Sequence, residues 1–312
     1  MATNKSYVPY SLNGDKDQDE KLLQPIAYFQ QAAGGHPREK LTLAMNYWLK
    51  IPIEKLQAIS DIMKIMHHCS LLIDDIQDNA TLRGGIPTAH MIYGLPSTIN
   101  TAGYALFMTI ERVLALNHPK AIQVYVEELL ELWRGQGIDI YWRDNYICPS
   151  EAEYRLMAIQ KLGALFKLDA CLKQVFSDCK KDFSTLSELL GVYFQIRDDY
   201  CSLCMQEYHD KKSYCEDFTE GKFSFPIIYA IQSKPEGKEI MNILSQRTKD
   251  PKVKKNGITL LEKCGAFAYT RTTLEELNRK IRDEVEKLGG NPLLIEVLDD
   301  SLDWQELKCC GQ

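Results

Sequence analysis

Three acidic side chains crowd the stretch LLIDDIQDNATLRGGIP, residues 71–87: Asp74, Asp75 and Asp78. On a helix, positions four apart share a face, so Asp74 and Asp78 project together, with Leu71 and His67 on the same stripe. Two ionised carboxylates one turn apart repel each other. A wet surface tolerates this, but a bundle interior does not unless a divalent cation is present. An all-oxygen donor set favours Mg²⁺; the alternative is a solvated acidic helix end. A second pair, Asp198 and Asp199, follows the apolar run LLGVYFQI with Gln195 one turn earlier, so its carboxylates emerge where a buried helix reaches a cavity mouth. Two such helices facing each other would form a cage for several Mg²⁺ ions. Such a cage suits a diphosphate, because the metals bridge phosphate oxygens and offset charge building on a leaving group. Arg83, Lys161, Lys212 and Lys222 are candidate cations for the rest of the phosphate, although each lysine could equally be a surface residue.

The elements that must position these groups are helices. From about residue 21 onward apolar residues recur at helical spacing, as in EKLQAISDIMKIMHHCSLLIDDI and STLSELLGVYFQIRDDY, and alternating strand-like runs are scarce. The fold class is all-α, a large helical bundle whose site is built from side chains on facing helices. Breaks are expected at AAGGHP, RGGIP, YGLPS, NHPK, CPSE, SKPEG, KDPK and GGNP. No linker divides the 312 residues, so one domain is expected over 21–306, between a loose polar arm (1–20) and a flexible tail (307–312).

A net charge of −6 argues against nucleic acid as a partner, since a basic surface is what such binding needs. The ten cysteines are scattered singly, and the N-terminus has no basic-then-apolar signal segment. We therefore expect reduced thiols and a cytoplasmic protein. No run approaches the roughly 18 apolar residues of a membrane span. The ending Cys309-Cys310-Gly311-Gln312 lacks the aliphatic middle residues of a prenylation signal and reads as a tail.

The segments LLIDDIQDNATLRGGIPTAHMIYG, GQGIDIYWRDNY, QKLGALF, FQIRDDY and KSYCEDFTEGKFSFP together resemble the animal geranylgeranyl diphosphate synthases, members of the trans-isoprenyl diphosphate synthase superfamily, over about residues 34 to 300. The resemblance implies the isoprenoid synthase fold around a deep central pocket, a homodimer, and three Mg²⁺ ions held by two aspartate-rich motifs. By position these are Asp74, Asp75 and Asp78, and then Asp198 and Asp199. It also implies that Arg83, Lys161, Lys212 and Lys222 grip an allylic diphosphate.

The chain departs from that pattern where the family holds a second substrate, isopentenyl diphosphate, with cations alone. Of four anchors, Arg38 and His67 are retained, while Gly35 stands for a lysine and Gly84 for an arginine. Charge-assisted hydrogen bonds contribute about 1.5–3 kcal/mol each, so the two losses cost roughly 3–6 kcal/mol, on the order of a hundred- to ten-thousand-fold in affinity, unless His36 or Lys40 compensates. An enzyme that ionises a prenyl diphosphate without a partner holds an allylic cation that must lose a proton, cyclise or meet water. This is terpene synthase chemistry, and the pattern is similar to insect-type terpene synthases derived from such enzymes. Released pyrophosphate is a proton acceptor for that step, and aromatic faces contribute about 0.5–2 kcal/mol each to the cation.

Smaller departures point the same way. Ser202 stands where an acid or amide is usual, which is similar to the Asp-and-Ser metal motif of dedicated terpene synthases, although Gln206 replaces the glutamate of that motif. Leu162 removes a hydroxyl near the phosphate. Trp133 and Arg134 replace polar residues, and Trp133, sharing a helix face with Gln136, either lines the prenyl pocket or packs in the core. Small residues at Cys69 and Ser70 leave room for a long chain without choosing among geranyl, farnesyl and geranylgeranyl diphosphate. The alternatives are a working geranylgeranyl diphosphate synthase and a non-catalytic regulatory subunit.

Overall fold

A computed structural model describes residues 9–32, 37–205, 213–233 and 235–306, with only the backbone described for 37–39, 233 and 306. Its helices run α1 (Lys16–Leu22), α2 (Gln24–Phe29), α3 (Pro37–Leu49), α4 (Ile53–Gln77), α5 (Ala89–Tyr93), α6 (Leu95–Ala115), α7 (Pro119–Asn145), α8 (Glu151–Ala158), α9 (Ala164–Gln174) and α10 (Ser184–Cys204). They continue with α11 (Glu216–Glu220), α12 (Phe225–Ser233), α13 (Gly237–Ser245), α14 (Pro251–Lys263), α15 (Ala266–Lys287) and α16 (Pro292–Asp299). The fold is all-α, as the periodicity predicts. Among the described residues the sole sheet is a hairpin, β1 (Leu82–Arg83) with β2 (Ile86–Pro87).

The helices begin and end where local chemistry dictates. Ser150 accepts the Glu153 N–H while the Glu153 carboxylate takes the Ser150 N–H, a reciprocal cap that starts α8. Asp250 and Asn291 cap α14 and α16, each with proline in the first turn. In α4, Leu56, Ile59, Ile62, Met66, Cys69 and Leu72 recur every three or four residues and are all buried, so the stripe that fixes this helix against α6 ends at the acidic cluster. A large apolar core unites α3, α7–α10 and the C-terminal helices. A smaller one gathers Leu23, Ile26, Ile65, Cys69, Ala102, Ala105 and Met108 between α2, α4 and α6.

The described part of the expected loose arm is attached. Asp19 is buried, accepting the Ser11 N–H and the Tyr104 hydroxyl, while Arg112 donates to the Tyr10 carbonyl and Glu111 accepts the Leu12 N–H. The polar residues that read as solvated are partners for α6. The tail, 307–312, lies outside the described residues.

Between α8 and α9 the helix widens into a π-turn, Ile159–Gly163, that carries Lys161. Such widenings are frequent at functional sites. This one is seated by close backbone approach. A Cβ on Gly135 of α7 would lie 2.4 Å from the Lys161 nitrogen, and one on Gly191 of α10 would lie 2.5 Å from Gly163. Gly135→Ala should therefore displace the π-turn and lower stability by about 1–3 kcal/mol. Gly137→Ala, two residues along the same helix with no atom within 4 Å of its added methyl, should be neutral or stabilising. Thermal melts of the two variants compare them directly, and equal melting temperatures would contradict this account of the packing.

Candidate active site at the acidic helix ends

Asp74 and Asp75 lie in the last turn of α4 and Asp78 caps it, its N–H reaching the Asp74 carbonyl. This is the negative end of the helix dipole, the unfavourable end for carboxylates, and the turn contains no basic residue. The compensating cations come from elsewhere. Arg83, on the hairpin, donates Nε to Asp75 Oδ1 at 2.8 Å and Nη2 to Asp75 Oδ1 and to Asp74 Oδ2, the latter at 3.1 Å. The hairpin can present it because Gly84 and Gly85 take φ of 60° and 83°, the paired left-handed turn that joins two adjacent strands in two residues. From α7, Arg143 donates to Asp78 Oδ1 at 2.6 Å and to the Gln77 carbonyl at 2.9 Å, while Gln136 donates to Asp74 Oδ1 at 3.1 Å and to Gln77 Oε1 at 2.8 Å. From the π-turn, Lys161 reaches Asp139 at 3.1 Å and Asp74 at 3.6 Å.

The second cluster sits on α10. Asp199 is fully buried and accepts from Tyr154, Lys222, Gln195 and the Phe225 N–H. Ser202, one turn on from Asp198, donates its hydroxyl to Asp217 Oδ1 at 2.7 Å and is itself buried. The two clusters share one electrostatic field. Burial opposes the charge on Arg83, but Asp75, Asp74 and Asp198 outweigh it and hold its pKa above the ordinary value. For Lys222, burial is likewise outweighed, by Asp199, Asp217, Asp139 and Asp198. Lys161 is held up against burial by Asp139 and Asp74, and Lys222 lowers it. The cations do not neutralise everything. Burial first, then Asp74, push Asp78 up to about 7 despite Lys161 and Arg143, and burial with Asp78 raises Glu220 well above its usual range.

That surplus bears on a metal. Asp74, Asp78 and the partly buried Asp198 offer oxygen donors with excess negative charge, which fits a hard divalent cation. Asp74 and Asp78 are themselves paired with Arg83, Lys161 and Arg143 but stay partly exposed, whereas Asp75, Asp199 and Ser202 are buried against Arg83, Lys222 and Asp217 and fit less well. Among the described residues no three acidic, histidine or cysteine side chains are gathered in metal-ready geometry.

The remaining expected residues fall as follows. His67 lies on α4 with a buried Nδ1 that has no hydrogen-bond partner. Trp133 is 37% exposed and shares an outer stripe of α7 with Val126 and Leu130, so the structure brings Gln136 but not the indole to the aspartates. Lys40 is committed to Glu296 at 3.2 Å and to Asp300 on the α16 side. Cys69 packs in the smaller core, and Ser70 donates back to the His67 carbonyl. Lys212, Gln206, Gly35, His36 and the Arg38 side chain lie outside the described residues. Sequence reasoning missed Asp139, Arg143, Tyr154, Asp217 and Glu220. The first two stand one and two helical turns beyond Gly135, on the face that carries Gln136, and that periodicity was the available signal.

Residues 19–261 match the polyprenyl synthetase family. The chain is 58% identical over 296 residues, 95% of its own length and 98% of the relative's, to a protein of Matsumurasca onukii named terpene synthase. It is 43% identical over 299 residues (96% and 98%) to a geranylgeranyl pyrophosphate synthase of Dictyostelium discoideum. It is 42% identical over 285 residues (91% and 94%) to one of Mucor circinelloides f. lusitanicus.

The raised Asp78 carboxyl gives a direct test of the charge surplus. A carboxyl whose folded pKa lies above its unfolded value contributes stability at low pH that is lost as pH rises through about 7, at about 1.4 kcal/mol per unit. In chelator-treated protein Asp78→Asn should therefore melt higher than wild type at pH 8. The difference should shrink as pH falls toward 4, and a pH-independent difference would rule out the surplus.

Proposed function

Because the chain belongs to the polyprenyl synthetase family, we propose that it is a class I terpene synthase, ionising geranyl, farnesyl or geranylgeranyl diphosphate to a terpene hydrocarbon or alcohol and pyrophosphate. The observation that carries this reading is an asymmetry of cations. Arg83, Lys161 and Lys222 converge on the aspartates where one diphosphate would lie. The arginine position of a second diphosphate site is instead Gly84, inside a tight turn, and Lys40 is occupied by α16. The 58% identity to a protein named terpene synthase, against 42–43% for the two geranylgeranyl pyrophosphate synthases, supports the same choice.

In this reading Asp74, Asp78 and Asp198 would hold Mg²⁺, three ions by the family resemblance, which would supply charge neutralisation for the leaving group. Arg83, Lys161 and Lys222, with Lys212, bind the phosphate oxygens, and Gln136 and Arg143 orient Asp74 and Asp78. The C–O bond breaks with its electron pair departing on pyrophosphate. The prenyl chain extends into the apolar bundle, where water is excluded, and the cation then loses a proton, cyclises or takes up water. The described cysteines are free thiols, which supports a reducing, cytoplasmic setting, and no helix among the described residues is long and apolar enough to cross a membrane. Exposed Ile99, Phe107 and Leu114 on α6 beside Val126, Leu130 and Trp133 on α7 support a homodimer through these helices.

Incubation of purified protein and Mg²⁺ with each allylic diphosphate, with and without isopentenyl diphosphate, tests the reaction. A terpene released without isopentenyl diphosphate is expected, whereas longer diphosphates formed only in its presence would make the protein a chain-elongating synthase. Asp74→Ala should abolish turnover, and Gly35→Lys with Gly84→Arg should restore some elongation. Sedimentation should show a dimer that Phe107→Asp, at a residue 71% exposed in the single chain, converts to monomer.

A further inference from the structure

Both oxygens of the buried Asp199 are filled. Oδ2 accepts the Tyr154 hydroxyl at 2.6 Å and the Phe225 N–H at 2.9 Å, and Oδ1 accepts Lys222 Nζ at 2.9 Å and Gln195 Nε2 at 3.2 Å. A carboxylate offers about four lone-pair positions, and all are used. We propose that Asp199 is an anchor rather than a metal ligand, and that Tyr154 is the positioning residue which, through Asp199, sets Lys222 for the diphosphate. This rests on the diphosphate site proposed above.

Lys222 needs such a device. It follows Gly221, at φ 77°, in a turn with no helix to constrain it, and its four-carbon stem carries a compact charge with three donors that can point many ways. Asp199 supplies one fixed acceptor for that ammonium and leaves its other N–H groups for a phosphate. Three further donors share the anchor's charge, so it does not monopolise the lysine. Tyr154 is the side-chain donor from outside α10 and the lysine turn, and it is itself immobilised. Its ring packs on Phe225 with centroids 5.4 Å apart, and its helix is pinned at the start by the Ser150–Glu153 cap and by the Tyr269 hydroxyl bonded to Glu151. Burial and the neighbouring Asp199 hold its phenol protonated. Removing the hydroxyl leaves Asp199 short of one donor, so it draws Lys222 more tightly and away from the phosphate.

Calorimetry of inorganic pyrophosphate binding at saturating Mg²⁺ tests this with a double-mutant cycle. Tyr154→Phe should weaken pyrophosphate about 5- to 10-fold. In a Lys222→Ala background the same change should cost nothing further, a coupling that a merely structural tyrosine would not show. Asp199→Asn should also weaken pyrophosphate while leaving unchanged the number of Mn²⁺ ions bound in its absence, counted by electron paramagnetic resonance. Equal losses with and without Lys222, an unchanged affinity in Tyr154→Phe, or a lost ion in Asp199→Asn would each overturn the assignment. Wild-type protein that takes up no pyrophosphate would remove the diphosphate reading itself, whereas the other failures leave that reading standing.

Discussion

Carboxylates gathered at the C-terminal ends of helices set the terms for the whole site. Asp74, Asp75 and Asp78 finish α4, where the helix dipole adds to their own repulsion, and Asp198 and Asp199 lie in the C-terminal part of α10. Neither helix has a basic residue in its last turn, so the neutralising charge must arrive from elsewhere in the fold. It does so on the irregular pieces of backbone. The two-residue hairpin delivers Arg83, the π-turn delivers Lys161, and the turn after left-handed Gly221 delivers Lys222. Regular helix supplies one more, Arg143 of α7, which meets Asp78.

The same requirement accounts for the close packing of α7 and α10 against the π-turn. Gly135 and Gly191 let the backbone carrying Lys161 come within reach of Asp139 and Asp74. The balance stops short of neutrality. Asp78 and Glu220 are held above their ordinary pKa by burial and by neighbouring acids, a penalty on their charged forms that an added cation would offset.

What could be read from the sequence follows from how local each signal is. Helical periodicity, the breaks at CPSE, KDPK and GGNP, and the one-turn spacing of Asp74 and Asp78 are encoded within a few residues, and all appear as expected. Partners joined across the bundle were not legible. Nothing near Tyr154 announces that it meets Asp199, and nothing near Arg143 announces Asp78. The hairpin was missed because its strands are two residues long, too short for an alternation to register. Trp133 was left open between pocket and core because an apolar side chain on an amphipathic helix reads alike in either place; its exposure, with that of Val126 and Leu130, puts it on the outside of α7. The polar arm was underrated for a similar reason, since its docking on Glu111 and Arg112 depends on residues about a hundred positions away.

Gly84 and Arg83, neighbours in the hairpin, differ in what they do for the fold. Its φ of 60° is a conformation in which a side chain costs roughly 1–2 kcal/mol, so an arginine there strains the turn and a glycine relieves it. Arg83, one residue earlier, neutralises two carboxylates of which Asp75 is buried, and its removal would leave an uncompensated charge in the interior. A side chain at position 84 can therefore be lost with a gain in stability, while Arg83, Lys161 and Lys222 hold the acidic helix ends together whether or not a substrate is present. On physical grounds alone, this bundle gives up a side chain at position 84 far more readily than it gives up Arg83, Lys161 or Lys222.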